Sequence, residues 1–102
     1  MFYMMNRLTV NAGFERAFEE AFAGRAHMID GRPGFVDMAV LRPSEGAIYI
    51  VLSRWTSEAA FDAWVESPEF AEAHKNRHPG MFAGHPVLEG FNAFETGAAT
   101  HG

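Results

Sequence analysis

Phe2, Met4, Leu8 and Val10 occupy alternate positions, which places them on one face of a strand over 2–10. Asn6 falls in the same row and is its one polar member. Two readings are open for it: a strand-end or edge amide satisfied by backbone, or a polar group set into an apolar pocket where it must find a partner. Asn11-Ala-Gly13 turns the chain, and the period then lengthens. Phe14, Ala17, Phe18, Ala21, Phe22, Ala26 and Ile29 recur at helical spacing. Glu15, Glu19 and Glu20 lie toward the start of that helix and Arg25 and His27 toward its end, as the helix dipole favours. Asp30-Gly-Arg-Pro-Gly34 stops it.

Residues 35–42 and 47–55 return to strand-like composition, joined by Pro43-Ser-Glu-Gly46 as a hairpin. The second of these strands is almost wholly apolar, which predicts a central place in the sheet. Thr56 or Ser57 can cap a short helix running through Val65, with Ala60, Phe61 and Trp64 on its inner face. Ser67-Pro68 restarts a helix over about 68–76, serine as the cap and proline at the first helical position. Phe70 and His74 then share a face at i and i+4. Residues 77–86, with two Pro and two Gly, read as an irregular mobile loop able to act as a lid. A last strand covers 87–94, followed by a frayed tail.

The order β-α-β-β-α-α-β is a split βαβ arrangement, a ferredoxin-like α+β fold. One domain spans 1–102, with a core over about 3–95 and a tail over 96–102. Helices cover only one face of such a sheet. The Phe, Ile, Val and Met content of the strands predicts a cover for the other face, most simply a second copy in a homodimeric α+β barrel.

Composition narrows the function. A chain of 102 residues that is 48% hydrophobic and 14% aromatic packs a core and is not disordered. Its net charge of −5 offers no basic patch for nucleic acid. The absence of cysteine removes disulfides, thiolate catalysis and cysteine-ligated metal centres. The N-terminal residues show neither a signal peptide nor a membrane span, so the expected compartment is the cytoplasm.

Few residues are arranged for chemistry. No serine has a histidine or aspartate at an informative spacing, no phosphate loop occurs, and Asp37 and Glu45 do not form an acid–base pair. His74 and His78 have an i, i+4 spacing that zinc could use, but Pro79 ends the helix there and no third ligand follows. A lone His74 on an apolar helix face, beside Phe70 and near Trp64, also suits one axial bond to haem iron, or a histidine packed at a core rim. Trp55 reads as a core residue at a strand end.

Four segments carry a family resemblance: Asn6-Arg-Leu-Thr-Val10, Arg32-Pro-Gly-Phe35, Arg54-Trp-Thr-Ser-Glu-Ala-Ala-Phe-Asp-Ala-Trp64 and Ser67-Pro-Glu-Phe-Ala-Glu-Ala-His74-Lys75. With these the chain resembles the antibiotic-biosynthesis-monooxygenase domains, and among them the IsdG-type haem-degrading monooxygenases. The trio Asn6, Trp64 and His74 is the specific part. The resemblance implies that His74 is the axial ligand of haem iron, that Asn6 hydrogen-bonds oxygen bound opposite it, and that Trp64 presses the porphyrin out of plane to direct its opening. Phe70 and Arg25 would complete the haem site, Arg25 near the propionates. Haem would then be cofactor and substrate together. Dioxygen would be required, with electrons from a separate reductase, because no flavin or nicotinamide motif is present. Three rivals remain at this point: a cofactor-independent monooxygenase acting on a small aromatic quinol, a haem-binding protein without activity, and a structural dimer module. His78 and His85 are alternative ligands.

Overall fold

The computed structural model describes residues 1–74 and 80–98, leaving aside the side chains of residues 25–27 and 73–74. The elements are β1 (Phe2–Thr9), α1 (Glu15–Ile29), β2 (Phe35–Leu41), β3 (Ile48–Trp55), α2 (Glu58–Val65), α3 (Pro68–His74) and β4 (Val87–Asn92). The strands form one antiparallel sheet in the order β2-β3-β1-β4. This is the ferredoxin-like α+β fold, with β3 central as its apolar composition predicts.

Alternation along the strands decides what each face carries. Tyr49, Val51, Ser53 and Trp55 of β3 are buried beneath the helices, while the residues between them are only partly covered or exposed. Phe2 and Leu8 of β1 are buried on the same side, together with Val10 just beyond the strand. The buried residues fall into two clusters. Leu8, Val10, Phe18, Tyr49, Val51 and Met81 form one, with Phe14, Ala17 and Phe22 packed against it. Phe2, Ile29, Trp55 and Trp64 form the other, flanked by Phe35, Phe61 and Phe70. Trp55 is the strand-end core residue its position predicts: it is fully buried, and its indole N–H donates to Ser53 Oγ at 3.0 Å.

The helix starts follow their local chemistry. Ser57 caps α2, its Oγ accepting from Ala60 N–H at 3.2 Å. Ser67 Oγ accepts from Phe70 N–H at 3.2 Å and donates to the Trp64 carbonyl at 2.6 Å, so one side chain starts α3 and closes α2. No side chain caps α1; the Glu15 carboxylate instead accepts from Gly13 N–H at 3.0 Å.

Three sequence expectations change. Val10 lies outside β1, because its N–H donates to the Ala47 carbonyl at 2.9 Å and its one sheet-like partner is Phe82. The last strand stops at Asn92, and Phe94 is 82% exposed. The segment expected to be a mobile lid is tied down over its described part. Met81 is buried, its carbonyl accepts from Asn11 N–H at 2.8 Å, and Ala83 N–H donates to the Thr9 carbonyl at 2.9 Å. A buried apolar anchor and two strand-end hydrogen bonds hold residues 81–83 to the end of β1. Residues 75–79 lie outside the described residues, and among the described ones no helix is long and apolar enough to cross a membrane.

Candidate functional site

A cavity of about 460 Å³ opens between the sheet and α2–α3. Its floor is the helix-facing row of the sheet, with Met4 and Asn6 from β1 and Val51 and Ser53 from β3. Phe61 and Trp64 of α2 and Phe70 of α3 form the wall. Asp62, Glu66, His85 and Leu88 also line the cavity. The size is that of a small-molecule or cofactor site, and a largely apolar lining with few polar groups is the usual composition of one.

Asn6 sits in the middle of β1, opposite Val51 in β3 and Leu88 in β4. Its backbone is therefore held on both sides, and parity turns its amide toward the helices. The amide oxygen is buried and accepts no hydrogen bond among the described residues. An unpartnered buried amide costs stability, so such groups are rare unless a ligand or water completes them. Asn6 thus stands mid-strand between two neighbours, not at a strand end or sheet edge, and its oxygen has no partner among the described residues.

Trp64 is buried at 6% exposure and meets Phe70 edge-on, ring centroids 5.5 Å apart at 86°. The Arg32 guanidinium lies over its ring, 5.9 Å from the centroid. The structure therefore brings Asn6, Trp64 and Phe70 to one cavity. His74 is the final residue of α3, four positions after Phe70, and the backbone of Arg25 belongs to α1. The side chains of both lie outside the described set, and so does His78. His85 lines the cavity and is exposed. Among the described residues no cluster of three or more His, Asp or Glu is placed to hold a metal ion.

Two contributors were not singled out from sequence. Ser53 reads as one more strand residue, yet its hydroxyl lies on the cavity floor beside the Trp55 indole. Arg32 reads as part of a helix stop, yet it reaches Trp64. Arg54 Nε donates to Asp37 Oδ1 at 2.7 Å in a two-pronged pair, which holds the Asp37 carboxyl below its usual range.

The sequence profile of the antibiotic biosynthesis monooxygenase family matches residues 1–76. The chain belongs to this family. Within it, the chain is 36% identical over 86 residues to a heme oxygenase (mycobilin-producing) of Mycobacterium tuberculosis, covering 83% of this chain and 82% of that one. The heme degrader MhuD of the same organism, solved with two hemes bound in its active site, superposes with a TM-score of 0.78 at 32% identity, over 91% of this chain and 95% of that one. SnoaB of Streptomyces nogalater, a cofactor-independent oxygenase solved as an N63A mutant, gives a TM-score of 0.77 at 26% identity, over 93% and 94%. Proteins of both kinds are thus similar to this chain, and the shared sheet and helices alone do not separate them.

Proposed function

We propose that the protein is a haem-degrading monooxygenase that opens the porphyrin ring and releases iron, using dioxygen and an external electron donor. The observation that carries this reading is the unpartnered amide oxygen of Asn6 on the floor of an apolar cavity walled by Trp64 and Phe70. A flat, mostly apolar tetrapyrrole suits such a slot. The identity with a mycobilin-producing heme oxygenase supports the same choice.

Bound haem supplies the iron at which dioxygen is activated and is itself the ring that is opened. His74, on α3, would hold the haem iron through a ring nitrogen. Asn6, on the sheet, would offer its amide for hydrogen bonding to a group bound in the cavity. Trp64 and Phe70 would exclude water and grip the ring, and the Trp64 indole would constrain how the ring sits and so which of its carbons are open to attack. Arg25, on α1, is assigned to the propionates. Electrons come from a separate reductase, because the sequence carries no nucleotide-cofactor motif. The residues act as one domain over 1–102, in the cytoplasm.

A second copy completes the assembly. The sheet face turned from the helices exposes Leu41, Ile48, Val87 and Phe91 at 43–51%, and burying such a surface is the main drive for association. A homodimer packed sheet to sheet covers it. Light scattering on the size-exclusion peak tests this, and a monomer at working concentration counts against it.

Haemin titration followed by ascorbate or a reductase in air, with catalase present, tests the activity. The expected result is a Soret band that forms and then decays as a chelator captures iron. His74→Ala abolishes the ligated spectrum. Asn6→Ala keeps haem binding and loses turnover, so normal turnover in that variant removes Asn6 from the mechanism. The likeness to SnoaB favours a second reading, oxidation of a small aromatic quinol without a cofactor. It predicts no Soret band and activity that survives His74→Ala.

A further inference from the structure

Arg32 stands on the turn between α1 and β2, and its backbone is held on both sides. Its N–H donates to the Ile29 carbonyl at 3.0 Å, and its carbonyl accepts from Phe35 N–H at 3.1 Å. The same turn is pressed against α2. Gly34, at φ +81°, lies so close that a Cβ there would meet Ala60 Cβ at 2.5 Å, and its carbonyl accepts from Thr56 N–H at 2.8 Å. Arg32 is therefore launched from a point fixed relative to the start of α2.

Its side chain reaches the far end of that helix. Nη2 donates to the Ala63 carbonyl at 3.4 Å, Nη1 lies 3.7 Å from Glu69 Oε2 on α3, and the guanidinium carbon is 5.9 Å from the Trp64 ring centroid. The side chain is 24% exposed, and Nε is buried without a hydrogen-bond partner among the described residues. A buried N–H left unpaired is unfavourable. The other contacts must hold the group in place against that cost. The guanidinium is a rigid plane, so contacts to α2, to α3 and to an aromatic face fix its orientation, and with it the tilt of the indole it covers. Lysine carries the same charge on a flexible stem and cannot make the three contacts together.

We propose that Arg32 is a positioning residue for the cavity wall: its planar fork sets the tilt of the Trp64 indole and locks α2 to α3. The contact itself is independent of what the cavity binds. Its consequence rests on the haem reading, in which a fixed indole meets the porphyrin at one angle and directs opening to one position.

The test separates the two levels. In a Trp55→Phe background Trp64 is the sole tryptophan, and its emission and acrylamide quenching in the ligand-free protein report its packing. Arg32→Met is expected to shift the emission to the red and increase quenching while the far-UV spectrum stays the same. With haem, the same substitution in the parent chain is expected to weaken binding about tenfold, because an indole no longer held must be ordered on binding. It also turns a single ring-opened product into a mixture. Arg32→Lys falls between the parent and Arg32→Met, or matches the latter. Unchanged emission and products in Arg32→Met overturn the proposal, and so does full rescue by lysine. If Arg32→Met fails to fold, Arg32→Lys decides by the same readings, and parent-like behaviour overturns the proposal. A parent chain that never forms a Soret band sinks the haem reading instead, and the ligand-free emission still judges Arg32.

Discussion

The two clusters beneath the helices differ in how their polar groups are treated. Around Phe18 the interior is filled: the ring is fully buried, 4.7 Å from Tyr49 and 4.9 Å from Phe22 between centroids. The polar atom in that cluster is satisfied, since the Tyr49 hydroxyl donates to Glu19 Oε2 at 2.7 Å. Arg42 holds the same carboxylate with two prongs, Nε at 2.9 Å. The Trp64 cluster walls the cavity of about 460 Å³, which Leu8, Phe22 and Val51 of the first cluster also border, and two buried polar atoms on this side, Asn6 Oδ1 and Arg32 Nε, lack partners among the described residues. The Phe18 side pairs its polar groups. The Trp64 side leaves buried polar atoms unsatisfied beside the cavity, as functional sites commonly do.

Core truncation breaks this comparison most strongly. Phe18→Ala is expected to destabilise by about 4 kcal/mol, because a filled site cannot collapse around the loss. Trp64→Phe should cost about 1 kcal/mol, since that wall already borders open space. Urea unfolding of both variants measures the difference, and equal losses would erase the distinction between the ends. Next in size is Gly34→Ala. The added methyl meets Ala60, and the positive φ disfavours any side chain, so a loss of about 2 kcal/mol is expected in the same assay.

Asn6→Leu has the opposite sign. Replacing an unpartnered amide by an apolar group of similar size should raise stability by about 1 kcal/mol while abolishing haem turnover. A destabilised Asn6→Leu would show that the amide has a partner in solution.

The smallest effect is the pH response of the closed end. Hydrogen bonds from Arg42 and Tyr49 lower the Glu19 carboxyl from 4.5 to about 2, and the same bond raises the Tyr49 hydroxyl above its ordinary value. A depressed carboxyl stabilises the fold above its unfolded pKa, and this contribution is lost as protons bind. The melting temperature should therefore fall between pH 4.5 and about 2. In Glu19→Gln that part of the fall should be missing. Because Glu19 is near the surface and screened, the difference is a modest shift.

Much of this was legible beforehand. Alternation in 2–10 identified the inner face of β1 and singled out Asn6, and the near-continuous apolar run of 47–55 marked β3 as central. Ser67-Pro68 announced the start of α3 because its cap chemistry is local. Trp64 and Phe70 could be assigned to inner helix faces by their period. The lid expectation failed for residues 81–83 for a long-range reason: Met81 is buried by residues of β1, α1 and β3, and Gly and Pro content says nothing of such anchors.

By itself, then, the sequence determined which residues face inward, because side-chain direction follows from strand and helix periods within a few residues. It also determined, through family likeness, the chemistry to look for. Only the tertiary structure decided that the amide oxygen of Asn6 has no described partner, and that Ser53 shares its floor. It also decided that Arg32, 31 residues before the Ala63 carbonyl it contacts, lies over Trp64. Satisfaction and contact depend on what the rest of the chain brings alongside, and no local pattern contains that.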